Sequence, residues 1–169
     1  MTIFTKVWTS SLILVPIVAG YLINHSLVGS VQGQSYWIFR VWSAAPLPWA
    51  VLFLAFWFWV GRRFAVARFR PLTGLVLGNS LTVASLTLYV YQFYLLGDAE
   101  RSAALASLGQ YYNLIAAPSG AWMMSAVASA GGSPTLTSNS INLLAYGLML
   151  TIFTGGYAVA RRGMRRSQV

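Results

Sequence analysis

Gly61-Arg62-Arg63-Phe64-Ala65-Val66-Ala67-Arg68-Phe69-Arg70-Pro71 carries four of the eleven basic residues in this chain, between two long apolar runs. A short Arg-rich loop joining two membrane spans is retained in the cytoplasm, so this stretch sets the direction of every other segment. Before it lies a second span, residues 46–62. Pro46 and Pro48 open that span, as suits the first turn of a helix. Trp49 to Val60 is almost wholly aliphatic and aromatic, which predicts a helix facing lipid or presenting an aromatic wall to another protein. At its end Arg62 and Arg63 are expected to snorkel toward the headgroups.

After the loop comes a third span, residues 72–96. Gly74 and Gly78 form a GxxxG match, and Thr82 extends the small face by one turn. Asn79, Thr82, Tyr89 and Gln92 follow at helical spacing as a polar stripe, joined by Asn142 of the last span. Amides and hydroxyls on such a stripe bond neighbouring helices, which predicts that the third span is central.

The first span covers residues 7–27, with Pro16 and Gly20 expected to kink it. Tyr36-Trp37-Ile38-Phe39-Arg40-Val41-Trp42 suits the outer headgroup level, where amphipathic rings sit best. The last span covers 141–160. Its Gly147, Thr151 and Gly155 recur every four residues and match the small face of the third span. Because the two run antiparallel, Gly74 and Gly78 are expected to touch Gly155 and Gly156. The tail adds Arg161, Arg162, Arg165 and Arg166.

Between the third and fourth spans, residues 98–140 make an excursion on the outer side. Asp98 is placed to cap a short helix over 99–108, Glu100 complements its dipole, and Gly109 is its expected stop. A second short helix is predicted over 119–130, where Trp122, Met123 and Met124 offer a contact surface. Tyr111 to Ala130 is uncharged throughout, but Pro118-Ser119-Gly120 interrupts it, which argues against a fifth span. With both termini inside, Lys6 and eight arginines lie in the cytoplasm against Arg40 and Arg101 outside, a firm positive-inside bias.

The expected fold is therefore all-α: a single membrane domain over residues 1–169, a polytopic four-helix bundle with one or two short helices on its outer face. Composition agrees, with 8% charged and 57% hydrophobic residues against the roughly 25% charged of soluble domains. The net charge of +9 reflects arginines at the ends of apolar runs. Arg62, Arg63, Arg68, Arg70, Arg161, Arg162, Arg165 and Arg166 are expected to meet anionic lipid, and no nucleic-acid groove is implied.

Catalysis has little to draw on. There is no cysteine, one histidine (His25) and two carboxylates, Asp98 and Glu100. Haem or zinc needs more ligands than that, and so does a calcium cage. No catalytic, cofactor or metal residue is assigned, and His25 reads as a polar residue near the interface.

Phe56-Trp57-Phe58-Trp59-Val60-Gly61, Leu77-Gly78-Asn79-Ser80-Leu81 and Leu96-Gly97-Asp98-Ala99-Glu100-Arg101 resemble uncharacterised small four-span membrane proteins of Gram-positive bacteria. The resemblance covers roughly residues 1 to 160 and implies a bacterial plasma membrane and a fold, with no activity attached. The function expected is a non-catalytic accessory, assembly or interaction protein, partnered by membrane lipid and by another protein or further copies of itself. A small oligomeric channel or transporter lined by the third-span stripe is the alternative. A membrane enzyme would have to borrow groups from a partner.

Overall fold

The computed structural model describes residues 3–32, 44–67, 69–129 and 137–166, and every element in them is helical. α1 (Ile3–Ser11) and α2 (Val15–Val31) are joined by a 3-10 turn over Leu12–Leu14. α3 is Pro46–Val66. α4 is Pro71–Val90, prolonged by a π-helical turn over Tyr91–Leu95. Two short helices follow, α5 (Ala103–Tyr111) and α6 (Ala117–Ser129), and then the long α7 (Ser138–Arg166). Four runs are long and apolar enough to cross a membrane: Phe4–Gly29, Pro46–Val66, Pro71–Leu95 and Ser138–Met164. They contain or closely match the four expected spans. Among the described residues no helix between α4 and α7 is long enough to span, and α6 at 13 residues reaches only about 20 Å. The aromatic stretch 33–43, including Arg40, lies outside the described residues.

Local chemistry accounts for the breaks. Pro16 has no N–H to return to Leu12, so the ladder tightens there and the Val15 N–H bonds to the Leu12 carbonyl. Pro46 and Pro71 stand in first turns, where an N–H has no intrahelical partner to lose. The cap of α5 is Ser102, whose hydroxyl accepts the Leu105 N–H at 3.5 Å. This corrects the expectation for Asp98 and Glu100. Both sit in a turn before the helix, closed by the Glu100 N–H on the Gly97 carbonyl, and Asp98 pairs instead with Arg101 at 2.9 Å. Gly109 does not stop α5. It lets the helix approach α4, since a Cβ there would stand 3.2 Å from the Tyr89 backbone nitrogen.

The packing core is α3 against α7. Gly61 lies on the Phe153 carbonyl and Gly156 on the Phe58 carbonyl, a reciprocal contact in which each glycine admits the other backbone. Around it Trp57, Phe64, Tyr146, Met149 and Phe153 are fully buried. Trp57 and Phe64 bring their rings to 5.6 and 5.4 Å from that of Phe153, within the range of favourable aromatic pairs. The aromatic second span thus buries one face in the core, while Val51, Leu52 and Trp59 stay exposed on the other. Its Ala50, Phe53, Trp57, Val60 and Phe64 recur at alternating three- and four-residue steps on one face, and all are buried. The expected centrality of the third span is corrected with it, since α4 is the least buried of the four long helices.

Nor do α5 and α6 merely cover the ends of the long helices. α5 packs between α2 and α4, and α6 packs against α3 and α7. Gly20 of α2 lies directly on the Tyr111 backbone, and Gly120 of α6 approaches the Ile141 carbonyl of α7.

Candidate functional site: a polar seam around the short helices

The most concentrated polar chemistry lies where α5, α6 and the turn between them meet the long helices. Asn113, fully buried in that turn, donates its amide to the Asn142 carbonyl at 3.0 Å and to Asn142 Oδ1 at 3.2 Å. Asn142 in turn donates to the Tyr89 hydroxyl at 3.2 Å, and Tyr89 donates to Asn139 Oδ1 at 2.8 Å. This relay ties the hairpin turn to α7 and α7 to α4. Tyr146 donates to the Gly109 carbonyl of α5. Tyr112, fully buried, donates to the Ile13 carbonyl at 3.1 Å, at the 3-10 turn ahead of Pro16, and sets its ring edge-on to Trp57 at 6.2 Å. Asn24 of α2 donates to the Tyr111 hydroxyl at 3.3 Å.

The entry to α5 is held as firmly. Gln92 Oε1 accepts the Ser102 N–H at 3.0 Å, and the Gln92 carbonyl accepts Arg101 Nε at 2.8 Å. That carbonyl belongs to the last turn of α4, which has no helical N–H left to accept. Arg101 also lies over the Phe93 ring at 4.8 Å. α5 and the turn after it are therefore bonded to long helices by groups that would otherwise be costly to bury, whereas α6 is held by packing alone, its buried Ser119 hydroxyl having no hydrogen-bond partner among the described residues.

Of the residues singled out in the sequence, Gly74, Gly78, Asn79, Thr82, Gln92 and Asn142 are buried. Gly78 lies on the Phe153 ring, and Gly74 faces Phe69 and Tyr157. Asn79 donates only to Leu75 of its own helix at 3.1 Å. The expected match with the small face of the last span does not form. Gly147 has no atom within contact distance, Thr151 is exposed and bonds back to the Gly147 carbonyl, and Gly155 only grazes the Phe58 ring. The inward face of α7 is one residue away: Asn142, Tyr146, Met149, Phe153 and Gly156. Of the seam residues, Tyr89, Gln92 and Asn142 belong to the expected polar stripe, whereas Tyr112, Asn113, Asn139 and Tyr146 were not singled out. Their signal was present as Asn139, Asn142 and Tyr146 at helical spacing, in line with the buried Met149 and Phe153.

The basic residues gather at the opposite end. Lys6 lies over Phe69 at 5.6 Å, Arg63 over Trp59 at 4.9 Å, and Arg161 over Tyr157 at 5.9 Å. The Tyr157 hydroxyl donates to the Pro71 carbonyl at 2.8 Å and so ties α7 to the start of α4. Arg62, Arg63, Arg70 and Arg162 are exposed there. Arg68 lies outside the described residues, as do the side chains of Arg165 and Arg166 in the last turn of α7. His25 stacks on Tyr21 at 5.9 Å. Among the described residues no three of His, Cys, Asp or Glu come together as metal ligands would. No known protein family, curated protein or solved structure matches this chain.

Proposed function

We propose that this chain is a non-catalytic integral protein of a bacterial plasma membrane that serves another membrane protein in its assembly or activity. In this reading the four long helices span as a bundle with both termini in the cytoplasm, and α5 and α6 enter from the outer side as a re-entrant helical hairpin. The observation that carries it is the use to which the polar groups are put. Gln92, Asn142, Asn113, Tyr89 and Tyr146 bond α5 and the turn after it to the long helices, which is how amides and hydroxyls hold helices together within a membrane. Large apolar side chains are left to meet a partner: Val51 and Leu52 on α3, and Trp122 and Val127 on α6, all more than half exposed. The clustering of basic side chains at one end supports the orientation.

An oligomeric channel draws less support, because Gln92 and Asn142, which it would need along a path, are engaged within their own chain. The deciding experiment is purification from the native membrane in a mild detergent, with the particle mass measured. A stoichiometric second protein is the expected result. A clean homo-oligomer that passes solutes in liposomes, with flux altered by Gln92→Ala, overturns the proposal.

A further inference from the structure

Between α4 and α7 a groove runs from mid-helix to the basic end. Its inner part, a cavity of about 380 Å³, is lined by Leu75, Val76, Val83 and Leu150, with Asn79, Ser80 and Thr154. Its outer part, about 280 Å³, continues past Leu75 and Thr154 to Tyr157, Ala158, Arg161 and Arg162. The two parts adjoin at Leu75 and Thr154, which line both, and together they make a groove that is apolar within and cationic at the mouth. From Val83 to Pro71 it follows α4 for about 18 Å, close to the half-thickness of about 15 Å of a bilayer's hydrocarbon core.

The mouth is a built feature. Tyr157 is anchored on the Pro71 carbonyl, and the Arg161 guanidinium lies over its ring. The chain has two carboxylate side chains to set against these arginines, Asp98 and Glu100. Both lie beyond the far end of α4, about 37 Å of helix away at 25 residues. An anion at Arg161 and Arg162 has to come from outside this set of side chains.

We propose that the α4–α7 groove binds one anionic glycerophospholipid of the cytoplasmic leaflet, its phosphate on Arg161 and Arg162 and an acyl chain along Leu75, Val76, Val83 and Leu150. Guanidinium groups bond phosphate oxygens in forked, charge-assisted pairs. The acyl chain gains contact with a preformed apolar wall. One-leaflet depth with a basic mouth fits a lipid better than a second transmembrane helix, which would need a groove through both leaflets. The site rests on the membrane reading above, and the two fail separately: release of the chain by alkaline carbonate ends the membrane reading, whereas lipid selectivity is measured on purified protein.

The test uses the whole chain in detergent, titrated with palmitoyl-oleoyl phosphatidylglycerol, with the matching phosphatidylcholine, and with glycerol 3-phosphate, binding being read by native mass spectrometry. Phosphatidylglycerol is expected to bind selectively. Arg161→Gln with Arg162→Gln weakens it by about ten-fold or more, the scale of a lost hydrogen bond to a charged group. Thr154→Trp, which puts bulk at a residue lining both cavities, abolishes the selectivity. Arg62→Gln with Arg63→Gln, removing equal charge elsewhere, leaves it intact. Equal weakening by both arginine pairs overturns the site in favour of diffuse attraction. Binding of glycerol 3-phosphate as tight as that of the lipid reduces it to an anion site and also overturns the proposal. Should Thr154→Trp fail to fold, maleimide labelling of Thr154→Cys reads the same occupancy. Slowing by phosphatidylglycerol and not by phosphatidylcholine supports the site, and protection only by a co-purifying protein sinks it.

Discussion

Gly61 and Gly156 stand where one added methyl group would meet the carbonyl of the opposite helix, at Phe153 and Phe58. Backbone cannot give way as the end of a side chain can, so Gly61→Ala or Gly156→Ala forces α3 and α7 apart. Overpacking of this kind costs about 1–3 kcal/mol. Gly147, on the open face of α7, should respond in the other direction, since alanine in a helix gains roughly 0.5–1 kcal/mol over glycine. Thermal midpoints of the three variants in one detergent check the contrast, and equal effects at Gly61 and Gly147 would refute the assigned interface. Asn142 and Asn79 form a second pair. Asn142→Leu removes two interhelical bonds, one accepted from Asn113 and one donated to the Tyr89 hydroxyl, while Asn113 keeps the backbone carbonyl of residue 142 and Tyr89 keeps Asn139; Asn79→Leu removes a bond only to its own helix. Interhelical bonds in membranes average about 0.6 kcal/mol and reach about 1.7, so the Asn142 loss should be the larger by about 1 kcal/mol.

At the scale of the element, the short helices decide the character of the molecule. The uncharged run that begins at Tyr111 does not form one long helix, because the chain turns over residues 112–116 and α6 starts afresh at Ala117, beside Pro118. What holds the hairpin among the long helices is the set of bonds from Tyr112, Asn113 and Gly109 to three different partners. A chain without cysteine makes this testable with no background. In right-side-out vesicles, Ala103→Cys and Ser129→Cys, at the exposed ends of the hairpin, should react with a membrane-impermeant maleimide. Ala116→Cys, fully buried, should not. Equal reaction at all three positions would mean that the hairpin lies outside the membrane. Losing Tyr112 should loosen the pair: Tyr112→Phe leaves the Ile13 carbonyl without its side-chain donor and is expected to cost about 1 kcal/mol and to raise labelling at Ala116→Cys.

For the whole molecule, the separation of charge between the two ends bears on orientation. Lys6, Arg63, Arg70 and Arg161 share one end, and Asp98, Glu100 and Arg101 lie at the other. A fluorescent protein fused at the C-terminus should therefore fluoresce, and a phosphatase fused after Ser129 should be active, since it needs the outer side. The opposite pattern would reverse the topology. The number, length and order of the long helices were legible in the sequence, because hydropathy and terminal prolines act locally and add up along the chain. The buried stripe of α4, from Gly74 to Gln92, was legible for the same reason. Two matters were not. α7 carries one helical stripe at Gly147, Thr151 and Gly155 and another at Asn142, Tyr146, Met149, Phe153 and Gly156, and helical spacing alone suits either. The choice falls to the second because Phe58, Phe64 and Trp57 need the ring of Phe153 and the bare backbone of Gly156 opposite them. The depth of α5 and α6 was likewise a tertiary decision. Their own hydropathy is modest, and only the assembled long helices present the carbonyls, amides and glycine-lined gaps that draw the hairpin in.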